Sequence, residues 1–351
     1  MKKSKKSKII ISTVAVIAVI ALAVVGFFVY KNKMPYEEKS AIGFTMGSVV
    51  TVKSFGNKNA DSVEKDVVDA LESYGNSLSD KAFDSSCLSS KFNGDSQAFD
   101  ADEIEAISKA KEIYSKTDGK AALTVGALSS LWDFNSGKNT VPEKEKIEAA
   151  LKLVNDENII INSDGISVSG GSILDVGSIG KGFACDRAAK MLDENGIENA
   201  VVAVGGSIYA KGHTAPGRTI RVGIRNPFGN ENEYLGYIST DNAFISTSGN
   251  YEKVFEKDGK KYHHLLDCTT GYPVEGELVS VTVVCDCGYL SDALSTACFV
   301  MGYGEKALAL LKENNADAIF VFEDKSVKMS KAVSKVFTLT DSGFSVSEYE
   351  A

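Results

Sequence analysis

An apolar run near the start of the chain divides it into a segment of membrane-spanning length and a body. The run extends for 22 residues from Ile9 to Tyr30, and only Ser12 and Thr13 in it are polar. At about 1.5 Å per residue, a helix of this length spans a hydrocarbon core of roughly 30 Å. The basic segment Met1–Lys8 precedes it, and lysine-rich flanks stay in the cytoplasm. The sequence therefore predicts one N-terminal transmembrane helix and an extracytoplasmic body.

A cleaved secretory signal is the alternative interpretation of the same segment. Such a signal has a shorter apolar region of about 7–15 residues, followed by small residues at the cleavage site. Here Gly26 is followed by the bulky residues Phe27 to Tyr30, which favours an uncleaved anchor. We accordingly divide the chain into a basic cytoplasmic segment (1–8), an anchor or signal (9–30), a tether (31–40) and one folded domain (41–345).

The charge of the body excludes one class of partner. The 351-residue chain has a formal net charge of −9, but its first 33 residues hold seven lysines and no acidic residue. Residues 34–351 therefore hold 31 basic and 47 acidic side chains, which is a net charge of −16. A body of that sign argues against nucleic acid as a partner, because nucleic-acid binding needs a basic surface.

Helix and strand patterns are mixed along the body without a regular alternation. Helical periodicity is found at 61–78, 102–115, 142–154, 182–195, 290–301 and 305–314. Strand patterns are found at 48–53, 200–204, 208–211, 220–225, 279–284, 318–323 and 336–339. A doubly wound parallel sheet would show alternating strands and helices, so this order favours an α+β fold.

The densest chemical signal is the glycine-rich segment Ile173–Ala184, where a strand pattern enters a turn and a helix pattern leaves it. Gly177, Gly180 and Gly182 would let a ligand approach the backbone, and Lys181 adds a positive charge. A helix N-terminus with such a lysine suits a phosphate group. It is not a Walker motif, because Gly182 stands where that motif needs Ser or Thr. A tight loop with a solvated lysine is the alternative.

A second signal lies on the helix pattern around residue 292. Asp292, Ser295 and Thr296 stand at i, i+3 and i+4, so they share one helix face. The neighbouring residues are apolar, and polar groups among them need partners. Oxygen ligands of this kind suit magnesium, which often shares a site with phosphates. Helix capping by Ser291 and Asp292, with Thr296 bonded back to the backbone, is the alternative.

A third signal is the adjacent pair His263 and His264, close to Asp267 and a turn that ends at Pro273. One of the two histidines could serve as a general base. In a strand-like stretch the two side chains point to opposite sides, so only one of them can face a substrate. A pair of solvated surface histidines is the alternative.

In their order along the chain, these segments resemble the ApbE family of FAD:protein FMN transferases. Seven motifs carry the resemblance, which runs from Met46 to about Val321. They are Met46-Gly-Ser, Leu123-Thr-Val-Gly-Ala-Leu, Leu174-Asp-Val-Gly-Ser-Ile-Gly-Lys-Gly, Val204-Gly-Gly-Ser, Ser246-Thr-Ser-Gly-Asn-Tyr, His264-Leu-Leu-Asp and Ser291-Asp-Ala-Leu-Ser-Thr-Ala. Each motif is modest alone, but seven in family order are specific. The resemblance implies mixed β-sheets flanked by helices.

The resemblance also implies an activity. The family splits FAD at its pyrophosphate, attaches FMN through a phosphoester to a Ser or Thr of a target protein, and releases AMP. Magnesium is then the implied cofactor, FAD the substrate, and extracytoplasmic proteins are the targets. Three alternatives stay open: an FAD pyrophosphatase in which water replaces the protein hydroxyl, a non-catalytic flavin-binding protein, and an anchored interaction domain without flavin.

Roles for single residues follow from the same resemblance. His264 matches a histidine that helps to deprotonate the target hydroxyl, and turnover is then expected to fall as an imidazole of pKa about 6.5 protonates. Asp292 matches both a catalytic and a metal-binding position. The further metal positions are matched by Ser178 and Thr296, with Ser295 adjacent. The positions that contact FAD are matched by Met46, Asp175, Lys181 and Leu266.

The sequence departs from the family pattern at three positions. Ala122 stands where the family often has Asp, and Lys81 where a Tyr commonly covers the flavin. Cys268 replaces the usual Pro after the His-x-x-Asp segment. The first two departures concern contacts to adenine or isoalloxazine and leave the metal positions intact.

Overall fold

A computed structural model describes residues 36–56, 62–81, 99–162 and 165–350 of the chain. The predicted basic segment and anchor, at 1–8 and 9–30, lie outside these residues, as does the first half of the tether, at 31–35. Within the described ranges, no helix is both long enough and apolar enough to cross a bilayer. The first described strand begins at Glu38.

Nine strands form the central sheet. In spatial order they are β1 (Glu38–Thr45), β2 (Ser48–Phe55), β5 (Ala200–Val204), β6 (Ser207–Lys211), β10 (Asn242–Gly249), β15 (Leu278–Cys285), β16 (Asp317–Phe322), β17 (Ser326–Ser330) and β19 (Ser345–Tyr349). Neighbouring strands are antiparallel throughout, except that β17 and β19 are parallel. The central sheet is therefore mixed.

Smaller sheets and helices complete the described fold. A four-stranded antiparallel sheet consists of β18 (Phe337–Leu339), β9 (Tyr234–Thr240), β8 (Arg218–Arg225) and β7 (His213–Ala215). Three hairpins pair β3 (Ile159–Asn162) with β4 (Gly165–Val168), β11 (Val254–Lys257) with β12 (Lys260–His263), and β13 (Leu266–Asp267) with β14 (Tyr272–Pro273). The helices are α1 (Val63–Lys81), α2 (Ala101–Lys116), α3 (Gly126–Trp132), α4 (Lys144–Leu151), α5 (Gly180–Glu194), α6 (Gly288–Met301), α7 (Glu305–Glu313) and α8 (Lys331–Ser334).

The alternation of side chains along the central sheet produces two cores on its opposite faces. In β16, Ala318 and Phe320 pack with the helices, whereas Ile319 and Val321 pack against the four-stranded sheet. The result is three layers: helices, central sheet and second sheet. The predicted α+β fold with mixed sheets flanked by helices is thus confirmed.

A third and smaller core, which we call the aromatic core, lies apart from these two. It consists of Leu128, Trp132, Ile147, Ala150, Phe255 and Leu266. These residues join α3 and α4 to the hairpins β11–β12 and β13–β14. Trp132 is buried and donates from Nε1 to the carbonyl oxygen of Gly271 at 2.9 Å, which ties the helix to the β13–β14 turn.

Candidate active site

One cavity brings together eight of the nine residues that the sequence singled out for the site. They are Met46, Asp175, Ser178, Lys181, His264, Leu266, Asp292 and Thr296. The ninth, Ser295, is fully buried away from the cavity. Its hydroxyl donates to the carbonyl oxygen of Asp292 at 2.9 Å and bonds the hydroxyl of Ser248 at 2.8 Å. Helical spacing put Ser295 on the Asp292 face, but its position in the packing turns it toward the sheet.

The glycine-rich turn at the cavity is held by a bond to a distant segment and by a bond within the turn. The backbone N–H of Asp175 donates to the carbonyl oxygen of Leu123 at 2.6 Å, which joins the turn to the segment before α3. The Asp175 carboxylate in turn accepts the N–H of Gly177 at 2.8 Å. This closes a local turn of the kind that Asp side chains favour. Ser178 and Lys181 then face the cavity as α5 begins.

The first turn of α5 is capped from another helix. The N–H of Gly182 donates to Oδ2 of Asp292 at 2.9 Å, although 110 positions separate the two residues. A Cβ on Gly182 would collide with the backbone carbonyl of Gly288 at the start of α6. The interpretation that Gly182 admits a ligand is therefore wrong, because the missing side chain serves contact between two helices. Its N–H group is likewise engaged by a carboxylate.

The hydroxyls of α6 form a buried network with β10. Ser291 bonds Ser246 at 2.7 Å and donates to the Gly288 carbonyl at 2.8 Å. Thr296 bonds the Ser248 hydroxyl at 3.1 Å while it lines the cavity. The capping alternative is not observed, because α6 begins without a side-chain cap of its own and Asp292 caps α5 instead.

Lys181 places a positive charge beside the Asp292 carboxylate. The ammonium nitrogen of Lys181 lies 4.0 Å from Oδ2 of Asp292 and donates to the carbonyl oxygen of Gly177 at 3.2 Å. The Asp292 side chain is 5% exposed. A buried carboxylate is costly without partners, and here it has a backbone N–H and a nearby cation.

The donor set at the cavity fits a hard cation. Within the described residues, no group of three or more His, Cys, Asp or Glu side chains is placed to hold a metal ion. Beside α5 and α6 the cavity offers the Asp292 carboxylate and the hydroxyls of Ser178 and Thr296, and Asp175 and Glu252 line it as well. Magnesium is commonly held by one or two carboxylates, water and substrate phosphates, whereas a structural zinc site needs four N or S ligands. These residues therefore suit magnesium with a phosphorylated substrate.

His264 is held in one tautomer. Its Nδ1 lies 3.0 Å from the carbonyl oxygen of Glu252. Because a carbonyl oxygen can only accept, the neutral ring carries its hydrogen on Nδ1 and its lone pair on Nε2. Burial, followed by the positive charge of Lys253, lowers the pKa of His264 to about 3. The imidazole is therefore a neutral acceptor at the cavity wall at physiological pH.

His263 points to the opposite side of the chain. It is 6% exposed, its Nε2 donates to the carbonyl oxygen of Val274 at 3.0 Å, and its ring packs edge-on against Phe299. Burial lowers its pKa as well. The structure thus separates the pair as the strand-like spacing predicted, with His264 alone of the two at the cavity.

Two further groups shape the cavity without having been predicted. Lys253 lines it and faces His264. Asp156 is fully buried and accepts from the N–H of Leu123 at 2.9 Å, the N–H of Thr124 at 2.8 Å and the Thr124 hydroxyl at 2.7 Å. It therefore holds the segment to which the glycine-rich turn is bonded. No local pattern marks Asp156, since its partners lie more than 30 positions away.

Comparisons with known proteins agree on one family. A family model described as the ApbE family matches residues 46–320. The chain is 33% identical to the FAD:protein FMN transferase of Treponema pallidum over 247 residues, which cover 65% of this chain and 68% of that protein. It is 31% identical to an FAD:protein FMN transferase of Klebsiella pneumoniae over 246 residues, which cover 69% of this chain and 76% of the relative.

Solved structures give the same result for the fold. The ApbE protein from Thermotoga maritima superimposes with a TM-score of 0.73 at 27% identity, covering 86% of this chain and 99% of the other. The flavin transferase ApbE from Vibrio cholerae also gives a TM-score of 0.73, at 26% identity, covering 86% of this chain and 100% of the other.

Proposed function

The chain belongs to the ApbE family and is an FAD:protein FMN transferase, and from this premise we propose how and where it acts. It attaches the FMN part of FAD through a phosphoester to a Ser or Thr hydroxyl of a target protein, and it releases AMP. One observation carries the proposal: Lys181, His264 and Asp292 meet in a single cavity. Phosphoryl transfer uses a cationic side chain near the phosphates, a base for the nucleophile and ligands for a metal ion.

His264 is the general base in this proposal. Its Nε2 takes the proton of the target hydroxyl, and the hydroxyl oxygen forms a bond to the phosphorus on the FMN side of the pyrophosphate. The bond between that phosphorus and the bridging oxygen breaks, and AMP leaves with that oxygen. The Glu252 carbonyl supports this role, since it holds the hydrogen on Nδ1 and leaves the lone pair on Nε2.

Asp292, Thr296 and Ser178 would hold magnesium. When bound, magnesium offsets the negative charge on the phosphoryl oxygens in a loose transition state. Lys181 contributes a charge of its own, because its ammonium group stands at the same edge of the cavity, 4.0 Å from the Asp292 carboxylate. It can therefore contact a phosphate oxygen.

Met46, Asp175 and Leu266 would bind FAD. Met46 forms the β1–β2 turn with Gly47, at a positive φ of 49°, and its side chain is buried at the cavity. Leu266 joins the cavity to the aromatic core. These two side chains offer apolar contact to a planar ring, and the Asp175 carboxylate supplies hydrogen-bond acceptors.

The full chain in detergent tests the activity with FAD, magnesium and an extracytoplasmic protein that carries an accessible Ser or Thr. The expected result is a target mass increased by one FMN phosphoester, together with AMP. A target whose acceptor residue is replaced by Ala is the control. FMN and AMP without added mass would indicate the pyrophosphatase, and bound flavin without AMP would indicate a flavin-binding protein. A chain that neither binds added FAD nor releases AMP from it would overturn the proposal.

The body is placed outside the cytoplasmic membrane in this proposal, with 9–30 as the anchor. The support is the apolar run behind a basic start. Protease added to intact, wall-stripped cells is expected to digest the body. Protection from that protease would overturn the topology, and a mature chain that starts near Lys31 would indicate signal cleavage instead.

A further inference from the structure

The two helices that carry the cavity's charged residues cap each other. The N–H of Gly182 in α5 donates to the carboxylate of Asp292 in α6 at 2.9 Å. In return, the N–H groups of Gly288 and Tyr289 in α6 donate to the two carboxylate oxygens of Asp186 in α5, at 2.6 and 2.8 Å. Neither helix has a side-chain cap from its own N-cap residue. Each helix start therefore depends on a carboxylate from the other helix.

The backbones of the two helices touch where these caps are made. A Cβ on Gly182 would collide with the carbonyl of Gly288, and a Cβ on Gly288 would collide with the carbonyl of Gly182. A Cβ on Gly288 would also come within 2.9 Å of the Asp186 carboxyl group. The crossing point is thus set by contact between backbones, and a side chain on either glycine would force the helices apart.

The position of α6 at this crossing decides where its cavity residues stand. Asp292 follows Gly288 by one helical turn, and Thr296 follows Asp292 by another. Asp186 itself lies outside the set of described residues that line the cavity. We infer that Asp186 is a positioning residue for the reaction: it fixes the start of α6 and so sets where Asp292 and Thr296 stand relative to Lys181. This inference rests on the proposed function.

The surroundings of Asp186 disfavour its charged form. The carboxyl group is largely buried, and burial raises its pKa to about 6 despite the two N–H donors. Asp102 and Glu105 face it and raise the pKa further. Loss of the carboxylate would leave the N–H groups of Gly288 and Tyr289 without this acceptor, so Asp186 contributes to stability as well as to position. Asp186 also fixes the orientation of the start of α6, because the N–H groups of Gly288 and Tyr289 donate to its two carboxylate oxygens.

The test compares Asp186→Ala and Asp186→Asn with wild type. We measure two magnesium concentrations. The first gives half the maximal rate of FMN transfer at saturating FAD, and the second gives half the maximal rise in unfolding temperature. For Asp186→Ala we expect both concentrations to rise by about 10–100-fold, the range for residues that orient metal ligands. Asp186→Asn, which keeps one acceptor oxygen, should shift them less. Hydrogen exchange at the amides of Gly288 and Tyr289 should be faster in both variants.

Asp100→Ala is the matched control. Asp100 caps α2 through the N–H of Glu103 at 2.9 Å and lies outside the cavity lining. Its loss should lower the unfolding temperature without changing the magnesium requirement. In the Asp292→Asn background, Asp186→Ala should add little further loss of turnover, because both changes act on the same ligand.

The outcomes separate the two hypotheses. Wild-type chain that transfers no FMN contradicts the proposed function. Wild-type chain that transfers FMN while Asp186→Ala behaves like Asp100→Ala contradicts this inference alone, as does full additivity with Asp292→Asn. If Asp186→Ala does not fold, Asp186→Asn decides the question by the same measurements, and an unchanged magnesium requirement in that variant overturns the inference.

Discussion

The two walls of the cavity are built in different ways. The carboxylate wall comprises Ser178, Lys181, Asp292 and Thr296. It lies at the start of α5 and along the first three turns of α6, against the main helix-side core. The histidine wall, comprising His264 and Leu266, follows the β11–β12 hairpin and rests on the aromatic core. Hydrogen bonds between the two helices fix the first wall, whereas one hydrogen bond to a described residue, at the Glu252 carbonyl, holds the His264 ring.

This difference follows from what each wall has to hold. A buried carboxylate beside a cation has to be placed by several partners, because an unpaired charge in the interior is very costly. A neutral imidazole needs only one partner, which selects its tautomer. We therefore expect changes in the carboxylate wall to act through charge and metal, and changes in the histidine wall to act through the proton.

The largest effect is expected at Asp292. Asp292→Asn keeps an acceptor for the N–H of Gly182 but removes the charge, so the fold should persist. We expect turnover to fall by about 10³-fold or more, since charge compensation at the phosphates contributes several kcal/mol. Transfer of FMN at low magnesium measures this. Asp193→Asn, an exposed change in the last turn of α5, is the control. Near-normal transfer by Asp292→Asn at low magnesium would show that the Asp292 charge is not needed for the reaction.

The next largest effect is expected at His264. His264→Gln should slow transfer by about 10²-fold, the lower end of the usual contribution of a general base. The effect is at the lower end because a loose transition state has little bonding between the nucleophile and phosphorus. Magnesium requirement and FAD affinity should hardly change. Both are read from transfer at varied magnesium and from flavin binding. A loss confined to FAD affinity would show that His264 positions the cofactor.

His263→Gln is the comparison for that variant. His263 is buried against Phe299 on the far side of the chain, so its replacement should lower the unfolding temperature and leave turnover nearly intact. Equal losses of turnover in the two histidine variants would show that the histidine wall acts as a structural unit.

A smaller effect on turnover is expected from the aromatic core. Trp132→Phe removes the hydrogen bond to the Gly271 carbonyl and leaves a void, which should lower the free energy of unfolding by about 2–4 kcal/mol. Turnover should fall a few-fold through the histidine wall, with the magnesium requirement unchanged. Leu235→Ala, in the core beneath the four-stranded sheet, is a matched destabilising control. A raised magnesium requirement in Trp132→Phe alone would show that the two walls are coupled.

The smallest effect is expected from pH acting on His264. Because the pKa is lowered to about 3, the ring stays neutral and keeps its lone pair above that pH, and a fall of turnover near pH 6.5 is not expected from this group. The folded state binds fewer protons here than the unfolded state between about pH 3 and 6.5, so the contribution of His264 to stability falls as pH drops through that window. The ratio of turnover in wild type to that in His264→Gln should be constant from about pH 5 to 8. A ratio that falls steeply as the pH drops below about 6.5 would show that His264 keeps its ordinary pKa.

Local patterns predicted much of the fold. The helices α1, α2, α4, α5, α6 and α7 lie where apolar periodicity placed them. The hairpins β11–β12 and β13–β14 and the short helix α3 were not predicted as elements. They have few residues, and contacts with distant aromatic side chains such as Trp132 and Phe255 stabilise them. Strands of two to four residues carry little periodicity, and the seven residues of α3 span only about two helical turns.

The candidate site also contains residues that the sequence predicted and residues that it did not. Residue type and motif order singled out Lys181, His264 and Asp292, which do meet in one cavity. Helical spacing could not separate Thr296 from Ser295, because positions i+3 and i+4 both lie within about 60° of Asp292 around the helix. The neighbouring strand decides which of them faces the cavity. Nor could spacing reveal Asp156, which acts on backbone groups far away along the chain.

The sequence by itself determined the family, the α+β class and the residue types that meet at the cavity, because these depend on motif order and on periodicity over a few turns. The tertiary structure alone decided why residue 182 is glycine, which tautomer His264 adopts and how far its pKa falls. Those properties depend on burial and on partners brought together from distant positions, as with Gly182 and Asp292, 110 positions apart. No local window of sequence contains that information.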